Sequence, residues 1–542
     1  MIFSIQQKFT SYFNLHPLRV ILLLGFTVRL LAAFFAPGYM MHDDHFLTIE
    51  PSGSWADGNN FNNWLPGIGN TNTHPEPISF FYLGFLFVFF KSFHAMGVEQ
   101  PELQMLLLRI IHATYSLLTI YFAYRITERL SNRKNAITVG ILLAFIAILP
   151  NFSVRNLVEI VCMPPLLGGM WLILKHVPLH SFKVGPIELH PPIQGNSGQT
   201  SWKFVALAGF IMGLSVGLRY QTGLLVALVG IILAVQNSFR TFFLFGIMSM
   251  LAFFVTQIDD VLLWGGKPFQ HLQGYFEYNK KNASNYPGSP WAYLSFIGVF
   301  ILPPVSLFLA SGFFASWKRI SIIVVPTIGF LLFHILYPNK QERFILPVLP
   351  FFVIAGAIGW NQISLKWREA KWQKWSWKIF WGLNAIAMLT LCFTYSKKSR
   401  VEAMNYLYEA GDCNNFILEF SHSSQGAMVP QFYSNLWTNY YYFNKEDNID
   451  AVLGYAERAA IATANDLLPS TLPNYVLFYD DVDLEKRIEK MKAYYPTLTY
   501  RTTIESGWFD VLLHRLNPKN SLEKIHIYST DSVYAPIVPQ VN

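Results

Sequence analysis

Charged side chains are scarce in this chain, and that scarcity argues against a soluble protein. Asp, Glu, Lys and Arg supply only 13% of the 542 residues, whereas about 25% is typical of soluble domains. Hydrophobic residues reach 52% and aromatic residues 16%. This composition predicts an integral membrane protein with one large helical bundle and an appended domain. We expect membrane lipids around it and no nucleic-acid partner.

Cysteine is nearly absent as well. Cys162, Cys392 and Cys413 are too widely spaced for a disulfide framework or a metal site. The first two lie in apolar segments, where we interpret them as packing residues. No cleavable signal sequence is evident, because the apolar stretch 17–36 runs into a polar, aromatic loop without a small-residue cleavage site. We interpret that stretch as a retained first span.

The few charges are unevenly divided along the chain. Residues 1–395 carry 27 Lys and Arg against 15 Asp and Glu, whereas residues 396–542 carry 13 against 18. No run long enough to cross a membrane follows residue 395. The sequence therefore predicts a basic membrane domain, 1–395, whose first outer loop is 37–103, and an acidic extracytoplasmic domain, 396–542.

Apolar runs that could cross a bilayer recur through the first domain. They fall at 17–36, 104–124, 136–150, 155–175, 203–218, 221–236, 241–257, 290–312, 320–337, 344–361 and 378–395. If residues 78–96 form a helix along the outer interface instead of crossing, every basic loop falls on one face, as the positive-inside rule requires. We therefore predict eleven spans and a cytoplasmic amino terminus. As a separate expectation, we place the protein in a bacterial inner membrane rather than the endoplasmic reticulum.

The acidic domain alternates apolar segments with one amphipathic helix. Strands are predicted at Asn414–Phe420, Tyr475–Tyr479 and Trp508–Leu513, and a helix at Leu484–Tyr494. This pattern is typical of a small α/β domain. The predicted fold class is thus an all-α multispan membrane bundle with a small extracytoplasmic α/β domain.

Residues suited to catalysis gather in the loops assigned to the outer face. Asp43 and Asp44 lie between two histidines just after the first span, and His74 and Glu76 follow in the same loop. A carboxylate half-shielded at a membrane interface can hold a raised pKa and act as a general base. The alternative is that these residues only solvate the loop.

Cations in two other places suggest an anion site. Lys340, Glu342 and Arg343 lie in a short outer loop, where the two cations could hold the phosphate of a lipid-linked donor and stabilise its charge as it leaves. A hairpin whose cations only reach the interface is the alternative. Arg219 and Glu159, at the outer ends of apolar runs, suit a buried ion pair as well as an anion site.

The sequence also leaves two alternative roles for each of two further features of the apolar domain. Arg29 lies within the first span, where an arginine either pairs or faces a cavity, or extends to the interface. Asn279, Tyr286 and Trp291 lie in or beside the loop 258–289, where aromatic and amide side chains suit sugar stacking. An interfacial aromatic belt is the alternative.

Three segments, in this order, resemble the motifs of glycosyltransferase family 22. DDHFLTIE at 43–50 is similar to the family's DE-[YF][WF]Q-LE element, and YFEYNKKNASNYPGSPWAYL at 275–294 resembles its FN…YG-HPW-WY stretch. NKQERFILPVLP at 339–350 is similar to its HKEERF-LPV-P signature. The order and approximate spacing agree along residues 20–395. MNYL at 404–407 and SHSSQGAMVPQFYSNL also resemble the tail of the GPI mannosyltransferase III branch.

The resemblance implies a fold and a reaction. Members are polyprenyl-phosphate-mannose-dependent mannosyltransferases of the GT-C type, with an extracytoplasmic site and an acidic base in the first loop. Asp43 and Asp44 match the two acidic positions, and Glu342 and Arg343 match the signature pair. Asn339 stands where the family has His, Asp44 where it usually has Glu, and Ser289 where it has His before Pro-Trp.

The resemblance implies inverting transfer from a lipid-linked sugar donor to a glycolipid or glycan acceptor. Asp43 would deprotonate the acceptor hydroxyl, while Arg343, Lys340 and Arg219 would stabilise the departing phosphate. The tail would cap the outer site or help to bind the acceptor. No cofactor is expected, and a divalent metal on the acidic pair is the alternative. A transporter and a non-catalytic lipid-glycan assembly subunit are rival classes.

Overall fold

The computed structural model describes residues 11–62, 64–65, 78–192, 198–262, 267–284, 287–367, 370–421, 428–438, 440–444, 473–518 and 522–531. The chain divides into two compact units. The first unit comprises Met1–Phe35, His74–Tyr82 and Leu108–Phe393, and the second comprises Ala36–Thr73, Leu83–Leu107 and Thr394–Asn542. Most of the first outer loop therefore groups with the tail.

The first unit is a helical bundle. Its α-helices are Pro17–Phe35, Arg133–Phe145, Ile148–Phe152, Val158–Val161, Met163–His176, Trp202–Leu218, Thr222–Gln236, Phe239–Thr256, Ile258–Leu262, Gln270–Lys281, Ala292–Phe300, Val305–Ala315, Ser321–Leu336, Leu349–Ile363 and Lys371–Cys392. It also holds the 3₁₀ helices Glu342–Val348 and Ser364–Trp367 and an antiparallel hairpin of β1, Phe182–Val184, and β2, Ile187–Leu189. The helices Phe80–Ala95 and Pro101–Leu130 include the points at which the two units divide.

Five of the described helical segments are long and apolar enough to cross a membrane. They are Pro17–Phe35, Pro101–Leu130, Val158–His176, Phe239–Leu262 and Glu342–Ile363. Four shorter apolar helices accompany them: Phe80–Ala95, Trp202–Leu218, Thr222–Gln236 and Ser321–Leu336. The number of eleven spans stays a prediction, since helix length and composition alone support fewer crossings.

The run 290–312, which the sequence predicts as one span, is broken in the structure. Ala292–Phe300 and Val305–Ala315 are bent by 118° relative to each other. Pro303 and Pro304 lie in the break. A proline lacks the backbone N–H that the helix needs and its ring clashes with the preceding turn, which explains why one helix does not continue. Counted as a single bent span, the pair would be a sixth crossing.

Glycines bring two helices of the bundle into backbone contact. Val305–Ala315 packs along Leu349–Ile363, and a Cβ built on Gly312 would lie 2.0 Å from the carbonyl oxygen of Gly356. A Cβ on Gly359 would lie 1.9 Å from the carbonyl oxygen of Gly312. Small residues permit this close approach in membrane helices, where dispersion contacts replace the hydrophobic effect as the driving force.

Arg29 faces the interior of the bundle. Its Nε donates to the Ser116 hydroxyl at 2.9 Å, and its terminal nitrogens donate to the carbonyl oxygens of Ala144 and Leu143, each at 3.2 Å. The side chain is buried. Arg29 is therefore a paired interior arginine and does not extend to the interface. All three cysteines are free, and Cys162 and Cys392 are buried, which fits their predicted packing role.

The second unit holds the α/β domain. Its helices are Ile49–Ala56, Lys398–Ala410, Leu484–Lys492 and Trp508–Leu516, with a 3₁₀ helix at Gln431–Tyr433. Its strands are β3, Phe416–Phe420; β4, Tyr441–Asn444; β5, Tyr475–Tyr479; β6, Thr499–Ile504; and β7, Ile525–Ser529. They form one sheet in the order β4-β3-β5-β7-β6, with β3 parallel to β4 and β5, and β7 antiparallel to β5 and β6.

The strand predicted at Trp508–Leu513 is wrong, because this segment is the helix Trp508–Leu516. Its large apolar residues Trp508, Leu512 and Leu516 recur every four positions, which is the spacing of one helical face. The other predicted elements are present: β3 covers most of Asn414–Phe420, β5 matches Tyr475–Tyr479, and a helix occupies Leu484–Lys492.

Candidate active site

The acidic pair lies in a series of turns after the first helix, and its two carboxylates differ in their surroundings. Asp44 is buried, and its two carboxylate oxygens accept the backbone N–H groups of Met40 and Met41, each at 3.1 Å. The Thr48 hydroxyl donates to the Asp44 carbonyl oxygen at 2.9 Å. Asp43 is only half-buried. Asp44 therefore holds the turn that carries Asp43.

A buried network anchors the same loop within the second unit. His45 Nε2 lies 2.9 Å from Glu50 Oε1, and this oxygen also accepts the backbone N–H of Phe432 at 3.1 Å. The imidazole of His45 is stacked on the ring of Tyr433, with centroids 5.6 Å apart. The loop with the acidic pair is therefore fixed against the tail, and no sequence pattern indicates this pairing.

A further carboxylate of this loop, Asp57, is not singled out by the sequence pattern. Its Oδ2 accepts the indole N–H of Trp437 at 2.6 Å, and its Oδ1 lies 3.5 Å from His94 Nε2. Burial raises the pKa of Asp57 above its ordinary value, although the Trp437 hydrogen bond and the nearby His94 oppose the shift. Asp57 is therefore a second candidate for a general base.

In the first unit, two arginines converge on one carboxylate. Glu159 Oε1 accepts a hydrogen bond from Arg219 Nη1 at 2.7 Å and lies 3.4 Å from Arg343 Nε. The ring centroid of Phe344 lies 4.9 Å from the Arg219 guanidinium carbon and 5.7 Å from that of Arg343. The exposed fraction is 2% for Glu159, 8% for Arg219 and 7% for Arg343.

Each member of this arginine cluster (Glu159, Arg219 and Arg343) lies where an apolar helix is interrupted. The interruptions are the short helix Val158–Val161 for Glu159, the end of Trp202–Leu218 for Arg219 and the 3₁₀ helix Glu342–Val348 for Arg343. Helix ends leave backbone groups and polar side chains away from the regular ladder. The interruptions therefore let charged residues meet inside an otherwise apolar bundle.

The arginine cluster contains two cations and one anion. Nε and Nη2 of Arg219 are buried, and neither has a hydrogen-bond partner among the residues that the structure describes. A buried N–H donor without an acceptor is costly, and the planar N–H groups of arginine match the oxygens of a phosphate. The cluster is suited to bind an anion.

Lys340 has a different set of contacts. Its Nζ donates to the carbonyl oxygens of His334 at 2.8 Å, of Ile335 at 2.9 Å and of Tyr337. These carbonyls lie at the end of Ser321–Leu336, where the helix leaves them without partners and where a cation is favoured. In this conformation Lys340 caps the helix Ser321–Leu336.

Two of the segments that carry the family resemblance lie side by side. Pro287 and Asn339 form an isolated antiparallel bridge. A Cβ built on Gly288 would lie 2.6 Å from the side chain of Lys340. The loops around residues 287–291 and 338–343 therefore form one surface of the first unit.

The remaining predicted residues have simpler environments. Glu342 is half-buried at the start of its 3₁₀ helix. The amide of Asn279 donates to the Tyr275 carbonyl at 2.8 Å, and the Asn279 carbonyl accepts the Tyr337 hydroxyl at 2.6 Å. Trp291 is 69% exposed. Outside the described residues lie His74, Glu76 and Tyr286.

The buried pair Asp260 and His271 was also missed. His271 Nδ1 is hydrogen-bonded to Asp260 Oδ1, and the ring of Phe80 lies 4.2 Å from the imidazole. Asp260 was visible as part of an acidic pair after a long apolar run, but nothing in the spacing linked it to His271. Among the described residues, no group of three or more His, Cys, Asp or Glu side chains could hold a metal ion.

Solved structures share this fold at low identity. ArnT from Cupriavidus metallidurans, in its crystal structure bound to undecaprenyl phosphate, matches with a TM-score of 0.55 at 9% identity, over 95% of this chain and 98% of ArnT. Its apo state gives 0.54 at 10% identity with the same coverage. The chain is thus an integral membrane protein with a GT-C-type fold.

The chain belongs to the Alg9-like mannosyltransferase family, whose model matches residues 20–421. GPI mannosyltransferase 3 of Yarrowia lipolytica (strain CLIB 122 / E 150) is 22% identical over 352 residues, which are 63% of this chain and 61% of that protein. The match thus spans less than two thirds of the relative's own length. The family resemblance inferred from three motifs is confirmed.

Proposed function

We propose that this chain is a membrane glycosyltransferase that moves a mannose residue from a polyprenyl phosphate carrier to a hydroxyl group of a glycolipid or glycan. Membership of a mannosyltransferase family supports the sugar. A shared fold with a protein crystallised with undecaprenyl phosphate supports the lipid-linked donor. The observation that carries the proposal is the buried arginine cluster, with two cations for one carboxylate.

Arg219 and Arg343 are assigned to the phosphate of the donor. The negative charge on this phosphate grows as the bond between the anomeric carbon and the phosphate oxygen breaks. The reason is that a phosphodiester, which links the lipid to the sugar, becomes a phosphate monoester of the lipid. Fixed N–H donors in a site shielded from water stabilise this developing charge more than the ground state. Glu159 holds the guanidinium groups in place before the donor binds.

Asp43 is assigned as the general base. It takes the proton of the acceptor hydroxyl while the hydroxyl oxygen bonds to the anomeric carbon, and polyprenyl phosphate leaves with the electron pair of the broken C–O bond. Attack opposite the leaving group inverts the anomeric configuration. Asp44, whose oxygens are both engaged by backbone N–H groups, positions Asp43. The scheme assigns no step to a metal or cofactor.

The other predicted residues are assigned to substrate contacts. Asn279, Glu342 and Trp291 would contact the sugar or the acceptor, and Lys340 would orient the loop that carries Arg343. The tail would help to bind the acceptor. We place the loops that carry Asn279, Trp291 and Glu342, together with the tail, on the extracytoplasmic face of a bacterial inner membrane.

The test is transfer by the purified full chain. The protein is incubated in detergent with polyprenyl-phosphate-mannose and a panel of glycolipid acceptors, and products are identified by mass spectrometry. Asp43→Asn should lower turnover by about 100- to 10,000-fold without lowering the melting temperature. Arg343→Gln should lower turnover by about 100- to 1,000-fold.

Matched controls separate the proposed roles from a loss of charge alone. Asp481→Asn, a more exposed carboxylate of the tail, and Arg240→Gln, an exposed arginine, should transfer mannose at the wild-type rate. Full turnover by Asp43→Asn with loss of turnover by Asp57→Asn would move the base to Asp57. Absence of transfer to any acceptor, together with tight binding of another solute, would favour a transporter.

A further inference from the structure

The helix Trp508–Leu516 of the second unit turns an apolar side outward. Trp508, Leu512 and Leu516 recur every four positions and are 50%, 40% and 75% exposed. No residue of this helix, which the structure describes in full, is buried. Single exposed apolar residues are ordinary on a protein surface, but these three lie on one helical face and form a continuous apolar stripe.

The polar side chains of this helix lie on its other side. Asp510 and His514, four positions apart, are half-buried, although ionisable side chains are usually exposed. Steps of about 100° per residue place these two opposite the stripe of Trp508, Leu512 and Leu516. A surface helix of a domain surrounded by water has the reverse orientation, with its apolar face on the core. The orientation therefore indicates apolar surroundings on the outer side of the helix.

A second amphipathic helix of the same domain has the ordinary orientation. In Leu484–Lys492, Met491 is buried in the core of the domain, whereas Glu485 and Glu489 are exposed. The two helices have similar lengths and belong to the same α/β domain. The outward apolar face is therefore a property of Trp508–Leu516 and not of the whole domain.

The backbone near the start of Trp508–Leu516 lies close to the end of a membrane span. The helix Pro17–Phe35 has 19 residues, and a rise of about 1.5 Å per residue makes it about 28 Å long, close to the thickness of the hydrocarbon core. Gly38 follows three residues later and lies at most about 11 Å from Phe35. Gly38 forms a bridge with Ser396. Ser396 therefore lies near the membrane surface.

The residue that precedes the helix packs against this part of the backbone. A Cβ built on Gly507 would lie 2.9 Å from the carbonyl oxygen of Tyr395, the neighbour of Ser396. It would lie 3.7 Å from the Cβ of Lys398. The apolar stripe thus begins, at Trp508, near the point where the chain leaves the bilayer. Tryptophan is enriched at this level of membrane proteins.

We propose that Trp508–Leu516 lies in the interface of the lipid bilayer, with Trp508, Leu512 and Leu516 among the head groups and the upper acyl chains. Amphipathic helices bury an apolar face about 5–10 Å into this layer. Arg515 is exposed beside the stripe, so its guanidinium group meets the lipid phosphates while its aliphatic part covers apolar surface. The tail is thus attached to the membrane at a second point besides its covalent link to the bundle.

The test reports on the surroundings of single positions and needs no turnover, so its outcome is independent of the proposed transfer reaction. In a Cys413→Ser background, where Cys162 and Cys392 are buried, Leu512→Cys is labelled with bimane. The full chain is placed, one copy per disc, in nanodiscs of phosphatidylcholine. The label should lose most of its fluorescence when the lipid is replaced by phosphatidylcholine brominated in the upper acyl chain, because bromine quenches at short range.

The matched control is Glu489→Cys, at an exposed position of the helix Leu484–Lys492. Its label should keep its fluorescence in both lipids, and both variants should melt at the temperature of the parent protein. Equal quenching at the two positions would overturn the proposal. Unquenched emission of the Leu512→Cys label would also overturn it, in favour of water on this face if the emission is red-shifted and of a protein partner if it is blue-shifted.

A second variant tests whether the whole face meets the lipid. Leu516→Cys lies at the end of the helix farthest from Gly507, so its label reports on the helix and not on the nearby span. Quenching comparable to that of the Leu512→Cys label is expected. Quenching of a Trp508→Cys label alone would overturn the placement of the helix along the membrane surface.

Discussion

Glu159 and Asp44 are both buried carboxylates, yet their partners give them different capacities. Asp44 meets two neutral backbone N–H groups, so its turn is complete without a ligand. Glu159 meets two guanidinium groups, and Nε and Nη2 of Arg219 still have no hydrogen-bond partner among the described residues, so an anion can accept from them. The second arrangement is the one that suits substrate binding.

Removal of the Glu159 charge should therefore destabilise the protein, because the two arginines then lack this carboxylate. In Glu159→Gln the two buried guanidinium groups lose their carboxylate, which is expected to cost about 3–5 kcal/mol of stability. Added polyprenyl phosphate should then raise the melting temperature of the variant more than that of the wild type. Thermal denaturation in detergent, with and without the lipid, measures both effects.

The control is Glu188→Gln, at a half-exposed carboxylate of the β1–β2 hairpin. Its melting temperature should match that of the wild type in both conditions. A Glu159→Gln protein that melts at the wild-type temperature would contradict the electrostatic account of the cluster.

Glu523 should make the stability of the second unit depend on acid pH. Burial raises the pKa of Glu523, but hydrogen bonds of 2.8 and 2.6 Å from Arg400 outweigh this and hold the pKa below its ordinary value of 4.5. Because the folded-state pKa is the lower one, the stabilisation is complete above about pH 4.5 and is lost as the pH falls through the folded-state pKa.

Glu523→Gln removes this pH-dependent contribution. The difference in melting temperature between wild type and variant should be largest near pH 7 and should shrink toward pH 3. Glu505→Gln, at an exposed carboxylate, is the control and should follow the wild-type profile. A difference that stays constant across this range would show that Glu523 acts through packing alone.

Charged residues that interrupt apolar runs can be recognised from the sequence alone. Arg219 and Arg343 were recognised this way, because a charge beside a membrane span stands out against its neighbours. Asp57 and the Asp260–His271 pair were not, because their importance depends on partners that only tertiary packing supplies. The catalytic role of Asp43 remains a prediction.

At the element scale, the helices Val305–Ala315 and Leu349–Ile363 illustrate how little space a membrane bundle leaves. Their backbones touch at Gly312, Gly356 and Gly359. Gly312 accordingly has no room for a side chain, whereas a Cβ on Gly298 would meet no atom within 4 Å.

Gly312→Ala is expected to push these two helices apart. Overpacking of this kind costs about 1–3 kcal/mol, and the clash with backbone places this site at the upper end. Gly298→Ala makes the same chemical change in a helix with open space and should be tolerated. Melting temperatures in detergent compare the two, and equal values would contradict the close approach of the helices.

Helices and strands can be predicted from the sequence where the segment itself has a clear apolar pattern. β5 and the helix Leu484–Lys492 were recognised from local apolar patterns. The pattern at Trp508–Leu513 predicts a strand where a helix forms, because a short apolar run fits both the strand and the helical period. The break near Pro303 was overlooked because run length outweighed the two prolines in the prediction.

At the scale of the whole molecule, the two compact units are each assembled from separate stretches of the chain. The second unit joins the first outer loop to the tail, an arrangement that the prediction of two consecutive domains did not include. Sequence gives the order of segments, whereas membership of a unit depends on contacts between distant residues. The side of the membrane on which each loop lies remains a prediction.

Cysteine labelling tests the predicted membrane orientation. In a Cys413→Ser background, a membrane-impermeant maleimide applied to spheroplasts should label Lys281→Cys, because 258–289 is predicted outside. Lys183→Cys, in the basic loop 176–202, should react only after permeabilisation. The exposed positions of both lysines make them comparable reporters. The opposite labelling pattern would invert the orientation.

The hydrogen bond from the Phe432 backbone to Glu50 has a consequence for biosynthesis. Its two partners are separated by 382 positions in the chain. At typical synthesis rates, about 20 to 80 s pass between the emergence of the first and that of the second. During this interval the loop with the acidic pair lacks its anchor, so a nascent chain released early is a substrate for quality-control proteases. The loop with the acidic pair therefore gains this anchor only after residue 432 has been synthesised.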